Sequence, residues 1–138
     1  MPYLWIAIGA GAAVLTGILV RALSWQRAAD FYTAFMAATA FIYVGAALAH
    51  GDVRVLVLES AIALVLFNLA LAGLWRSLTI TAIAFFLHGC WDLLHSWKAM
   101  GANAGPSFPV LCVAYDWVIA GFVLALGHKL PAGPTSGR

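Results

Sequence analysis

Five long apolar segments constrain how this chain can fold more than any other feature of its sequence. Each holds about 20 residues, which as a helix rising about 1.5 Å per residue crosses a hydrocarbon core of about 30 Å. The segments are continuously apolar and lack the alternation at every second residue that a membrane β-barrel requires. The sequence therefore predicts an all-α integral membrane bundle of five transmembrane helices, approximately Tyr3–Leu23, Phe31–Ala49, Val53–Trp75, Leu78–Trp97 and Pro109–Lys129.

The composition excludes a water-soluble protein, because 64% of the 138 residues are hydrophobic and only 9% are charged. No internal repeat, long charge run or soluble segment interrupts the pattern, so residues 1–130 are predicted to form a single transmembrane domain. Residues 131–138 are rich in Pro and Gly, which predicts a flexible C-terminal tail. The first segment has no preceding basic residue and no clear cleavage region after it, so we expect a retained helix and not a signal peptide.

The basic residues predict an orientation, since Lys and Arg are retained on the cytoplasmic side of a membrane. One face of the bundle would carry Arg21, Arg27, Arg76, Lys129 and Arg138, and the other Arg54 and Lys98. The bias places the N-terminus outside and the C-terminus in the cytoplasm, which fits the bacterial cytoplasmic (inner) membrane. A net charge of +2 spread over several loops gives no basic patch for nucleic acid. The expected partners are membrane lipids, and either other membrane subunits or further copies of the chain.

Ionisable side chains inside the fourth segment point to a functional site. His88, Asp92 and His95 lie within about 60° of one another on a helix and so form one stripe. Ionisable groups at membrane depth are costly and usually functional. Asp116 lies at a similar depth in the fifth segment, so these four residues are the predicted site.

Other polar and aromatic residues fall in the same outer half of the bundle and are possible supports of the site. They are Glu59 in the third segment, Tyr43 in the second, Cys112 one turn before Asp116, and the two tryptophans Trp91 and Trp117. If the stripes of the fourth and fifth helices face each other, they enclose an outward-opening polar pocket. The connection Lys98–Pro109 lies over it and is either a lid or an ordinary interfacial loop.

The motif His-Gly-x-Trp-Asp-x-x-His at His88–His95, followed by a proline-containing loop and the pair Tyr115-Asp116, resembles a family of small bacterial membrane proteins of unknown function. The resemblance extends from Phe31 through Asp116. It implies a membrane location and a shared motif, and it brings no activity with it. Where members of the family often have a second His after the last one, this chain has Ser96, which weakens any hypothesis that needs a ligand there.

The leading functional hypothesis is a metal site. Imidazole with carboxylate suits zinc or iron, and one such divalent ion would be held by Asp92, Asp116 and one or both of His88 and His95. The ion would activate water against an ester or amide bond of a lipid-like substrate, in the manner of a hydrolase.

Two alternatives need no metal. In the first, a His-Asp pair acts as an acid/base isomerase on an apolar substrate, with Trp91 and Trp117 offering π-faces to a cationic intermediate. In the second, the polar groups are a non-catalytic cluster that fixes helix packing. The protein would then be a lipid-binding module or an accessory subunit of a membrane complex. The sequence leaves both open.

Overall fold

The computed structural model describes residues 2–97, 101–102, 104–105 and 107–127. Within them the chain forms the six helices α1 Pro2–Val20, α2 Trp25–Ala40, α3 Ile42–His50, α4 Val53–Arg76, α5 Leu78–Ser96 and α6 Phe108–Gly127. These described residues contain no strand, which confirms the all-α prediction. The predicted flexible tail at residues 131–138 lies outside the described residues, as do Lys98, Lys129 and Arg138.

Five segments are long and apolar enough to cross a membrane, as predicted, because α2 and α3 together make one span of 26 residues. This span begins at Trp25, earlier than the predicted start at Phe31. Arg27 and Asp30 look like loop residues in the sequence, but both are exposed on the first two turns of α2. Charged side chains at the end of a span reach water or headgroups, so they do not prevent the helix from forming there. The orientation of the termini stays a prediction.

A break at Phe41 divides the second span into α2 and α3. Phe41 has φ −93° and ψ 1°. Its N–H donates to the carbonyl of Ala38 at 3.3 Å, three residues earlier, instead of to the residue four positions earlier as in a regular α-helix. Beyond the break, Tyr43 and Ala47 are the buried residues of α3. The break therefore lies within one turn of the tyrosine that contacts the candidate site.

Helix α5 is the centre of the bundle. It packs against α6, α4 and α2, and a larger share of its residues is buried than in any other span. Helix α1 packs against α6, where an added Cβ on Gly9 would collide with the carbonyl of Leu111 and one on Gly17 would lie 2.9 Å from the Phe122 ring. Small residues thus allow α1 and α6 to approach closely. The central position of α5 places its polar stripe inside the bundle.

Candidate metal centre

His88, Asp92 and Asp116 meet between α5 and α6 and are called the trio below. His88 Nδ1 lies 2.6 Å from Asp116 Oδ2 and 3.4 Å from Asp92 Oδ2. One ligand atom from each of the three residues lies within 4.8 Å of the other two. Their side chains are at most 3% exposed. The structure therefore brings together three of the four predicted site residues in a group that can hold a metal ion.

Tyr43 fixes one side of the trio. Its hydroxyl donates to Asp92 Oδ1 at 2.6 Å, which leaves Oδ2 as the oxygen that faces His88. Neither Asp92 Oδ2 nor His88 Nε2 has a hydrogen-bond partner among the described residues, although the Thr39 backbone carbonyl interacts with the His88 side chain. Metal ligands are typically oriented by such outer partners, a tyrosine hydroxyl or a backbone carbonyl.

The charges of the trio do not balance. The two carboxyl groups each place an oxygen within 4.8 Å of the other, and only one imidazole lies beside them. Two carboxylates in one buried site cannot both ionise without a compensating cation. Either a proton or a bound cation must therefore lie among these three side chains.

His95 is not part of the trio, in contrast to the prediction of a four-residue site. It lies two turns along α5 from His88, about 10.5 Å along the axis, and turns to α4 instead. There its Nε2 lies 2.9 Å from Glu59 Oε1, while its Nδ1 lies 3.0 Å from the Trp91 carbonyl. The predicted site is thus divided into the trio and a second group around Glu59.

Glu59 accepts hydrogen bonds from three sides although its side chain is only about 1% exposed. Trp91 Nε1 donates to Oε2 at 3.0 Å, and the backbone N–H of Ala102 donates to Oε1 at 2.7 Å, the same oxygen that His95 approaches. Because the Trp91 carbonyl can only accept, His95 Nδ1 carries a proton. One further proton then lies between His95 Nε2 and Glu59 Oε1, so the pair is neutral overall. We call Glu59, Trp91, His95 and Ala102 the Glu59 network.

Tyr43 joins the two groups. Its ring stacks on the His95 ring with centroids 3.8 Å apart, while its hydroxyl bonds Asp92. Tyr43 therefore contacts both the trio and the Glu59 network.

The described residues of the connection between α5 and α6 include two, Gly101 and Ala102, that lie over the Glu59 network. Ala102 is 4% exposed, and Gly101 has φ +88°. A Cβ at Gly101 would collide with His95 Nε2 and Glu59 Oε1, so only glycine fits there. The part of this connection that the structure describes is thus a packed cover over the Glu59 network.

Gly101→Ala is expected to destabilise the protein more than Gly105→Ala. Both glycines have φ +88°, so alanine is strained at either position by about 1–3 kcal/mol. At Gly105 an added Cβ meets no atom within 4 Å, whereas at Gly101 it overlaps the Glu59 network and adds about 1–3 kcal/mol of overpacking. Chemical unfolding of the two variants in detergent measures the difference. Equal losses of unfolding free energy in the two variants would show that the backbone at Gly101 is not packed tightly against Glu59 and His95.

The remaining predicted supports lie at different distances from the trio. Cys112 interacts electrostatically with both aspartates, but its sulfur is not one of the three close ligand atoms. Trp91 belongs to the Glu59 network. Trp117 is 40% exposed, and its Nε1 donates to the Phe86 carbonyl at 3.3 Å and not to a side chain of the trio.

Sequence reasoning missed the contributions of Thr39, Gly101 and Ala102. Thr39 and Ala102 act through backbone atoms, which no side-chain pattern marks. A glycine in a connecting segment is a signal of positive φ, but it does not say which side chain the loop will approach.

Comparison with known proteins gives one result that bears on identity. A family model described as "Family of unknown function (DUF6010)" matches residues 4–129. No curated protein and no solved structure matches the chain.

Proposed function

Since the chain belongs to the DUF6010 family, which brings no assigned activity, we propose from its buried site that it is an integral membrane metalloprotein. His88, Asp92 and Asp116 would hold one divalent ion, zinc or iron. The role we propose for the ion is metal-assisted hydrolysis of a lipid-like substrate. His95 and Glu59 would stand beside the centre as positioning residues, connected to it through Tyr43.

Asp92 Oδ2 is the observation that carries this proposal. It is a fully buried carboxylate oxygen without a hydrogen-bond partner among the described residues, and it faces His88 Nδ1 and lies close to Asp116. Buried polar atoms are nearly always satisfied, so one that is not calls for a ligand or a proton. A divalent cation supplies the missing interaction and neutralises both carboxylates beside a neutral imidazole.

The donor set also supports the chemistry. His88, Asp92 and Asp116 would supply three protein ligands, the number that is typical of catalytic rather than structural zinc sites. A divalent ion held there would supply Lewis acidity, which lowers the pKa of water enough for it to act as a nucleophile at neutral pH. The bundle has five spans and the trio is surrounded by helices, so a substrate that reaches it has to come through the membrane or past the cover at Ala102. An ester or amide of a lipid-like molecule is the class that we propose.

Elemental analysis of the purified protein tests the proposal. After preparation without chelator, we expect about one equivalent of zinc or iron per chain. His88→Gln is expected to lose the metal, whereas His95→Gln is expected to keep it, because His95 bonds Glu59 and not the trio. Size-exclusion chromatography and thermal unfolding establish that both variants remain folded.

Two outcomes would contradict the proposed centre. Absence of metal from wild type, even after reconstitution with zinc or ferrous iron, would leave acid/base chemistry or a packing cluster as the role of the trio. Equal metal loss in both histidine variants would contradict the ligand set assigned here. If metal binds as expected, hydrolysis of lipid esters and amides by the loaded protein tests the chemistry.

A further inference from the structure

A second feature of the molecule lies at the opposite end of the bundle, where α1 ends and α2 begins. A half-open cavity of about 530 Å³ lies there between the ends of α1, α2 and α6. Among the residues that line it are Gly17, Arg21, Trp25, Tyr32, Phe122 and Ala125. Its volume falls in the range of about 300–1,000 Å³ that is typical of ligand pockets.

The packing of the helices explains the cavity. Helix α1 packs on α6, whereas α2 packs on α4 and α5, so the beginning of α2 stands away from α1 and α6. Along α2 the residues that face the gap are spaced by one helical turn, Trp25, Ala28 and Tyr32. The gap is therefore a consequence of how the bundle is assembled and is lined by residues of α1, α2 and α6.

The chemistry of the wall combines one cation with apolar and aromatic surface. Arg21 is the charged residue of the lining, and its guanidinium carbon lies 5.5 Å from the centroid of the Phe122 ring. Within the described part of the chain no carboxylate lies within ion-pair distance of Arg21, and Asp30 on α2 is not part of the lining. A cation held over an aromatic ring at the mouth of an apolar cavity is suited to an anion that carries a hydrocarbon chain.

We propose that this cavity binds an anionic phospholipid, with its phosphate on Arg21 and one acyl chain between α2 and α6. The cavity lies at the ends of three spans, which is the depth in a bilayer at which the headgroup of a lipid joins its acyl chains. A soluble anion would use the charge of Arg21 but would leave the apolar wall uncovered. The site is separate from the trio, and the proposal does not depend on a metal.

Native mass spectrometry of the full-length protein with added phosphatidylglycerol or phosphatidylcholine tests this site. We expect wild type to retain one phosphatidylglycerol in preference to phosphatidylcholine. Arg21→Gln is expected to weaken that binding about tenfold, which corresponds to about 1.4 kcal/mol. Arg76→Gln is the matched control, because Arg76 ends α4 at the same end of the bundle, is exposed and does not line the cavity. It is expected to leave the affinity unchanged.

A second variant tests the acyl-chain part of the site. Ala125→Phe fills the cavity from an exposed position on α6 and leaves Arg21 in place, so it is expected to weaken binding to a similar extent. Ala125→Leu serves the same purpose if the phenylalanine variant does not fold. Loss with Arg21→Gln but not with either Ala125 variant would overturn the proposal in favour of a surface headgroup contact. Equal loss with Arg76→Gln would overturn it in favour of non-specific charge. The metal content of all these variants is measured in parallel, so a failed metal proposal remains distinguishable from a failed lipid proposal.

Discussion

Replacing Glu59 with alanine is expected to lower the free energy of unfolding by about 3–5 kcal/mol, the usual cost of removing one partner from a buried charged pair. The Glu59 side chain accepts from Trp91 Nε1 and from the Ala102 backbone N–H, and it is paired with His95 Nε2. All three nitrogens would lose their partner, those of His95 and Ala102 in buried contacts and that of Trp91 in a partly buried one. Each buried donor left without an acceptor adds its own desolvation penalty.

Two measurements test this expectation together. Chemical unfolding in detergent gives the loss of stability, and hydrogen exchange at the Ala102 amide reports whether the cover has detached from α4. The matched control is Asp52→Ala, which removes an exposed N-cap that accepts from Arg54 and Val55 at 2.9 and 3.4 Å. It is expected to cost about 1 kcal/mol and to leave exchange at Ala102 unchanged.

Glu59→Gln separates charge from hydrogen bonding in the same network. If the amide oxygen takes the place of Oε1, it can still accept from Ala102, but the NH₂ group then faces the Trp91 Nε1–H, which is also a donor. We expect a loss between those of Asp52→Ala and Glu59→Ala. If Glu59→Ala were no more destabilising than Asp52→Ala, the Glu59 network would not hold the cover in place.

The membrane spans could be predicted because length and hydropathy alone determine which segments can cross a bilayer. The polar stripe of α5 could also be predicted, since helical spacing puts His88, Asp92 and His95 on one face of the helix whatever surrounds it. The buried state of all three residues confirms this stripe. Both predictions depend on one helix at a time.

The division of the stripe between two neighbours could not be predicted in the same way. Which end of the stripe faces Asp116 on α6 and which faces Glu59 on α4 depends on how three helices pack, and no spacing within α5 contains that information. The break at Phe41 is a further example, because the surrounding residues Ala40 and Ile42 include neither Gly nor Pro to mark it. Backbone partners such as the Ala102 N–H follow from the path of a loop and leave no pattern in the sequence.

Asp116→Asn is expected to be less stable than wild type only when metal is present. In wild type, an ion present at a hundred times its dissociation constant stabilises the folded state by about 2.7 kcal/mol, and a variant that has lost a charged ligand forfeits most of this. Without metal the asparagine removes one of two neighbouring buried carboxylates, while its amide oxygen can still accept from His88 Nδ1. The metal-free variant is therefore expected to be no less stable than metal-free wild type.

Thermal unfolding of both proteins, first after chelation and then with added zinc or ferrous iron, measures the stability of the variant relative to wild type in each condition. Asp30→Asn makes the same chemical substitution at an exposed position of α2 and is expected to follow wild type in both conditions. The comparison is decisive because a packing cluster predicts a different result. If the trio only held α5 against α6, Asp116→Asn would weaken the 2.6 Å hydrogen bond between residue 116 and His88 Nδ1. The loss of stability would then be the same with and without metal. Wild type would then gain nothing from the added ion.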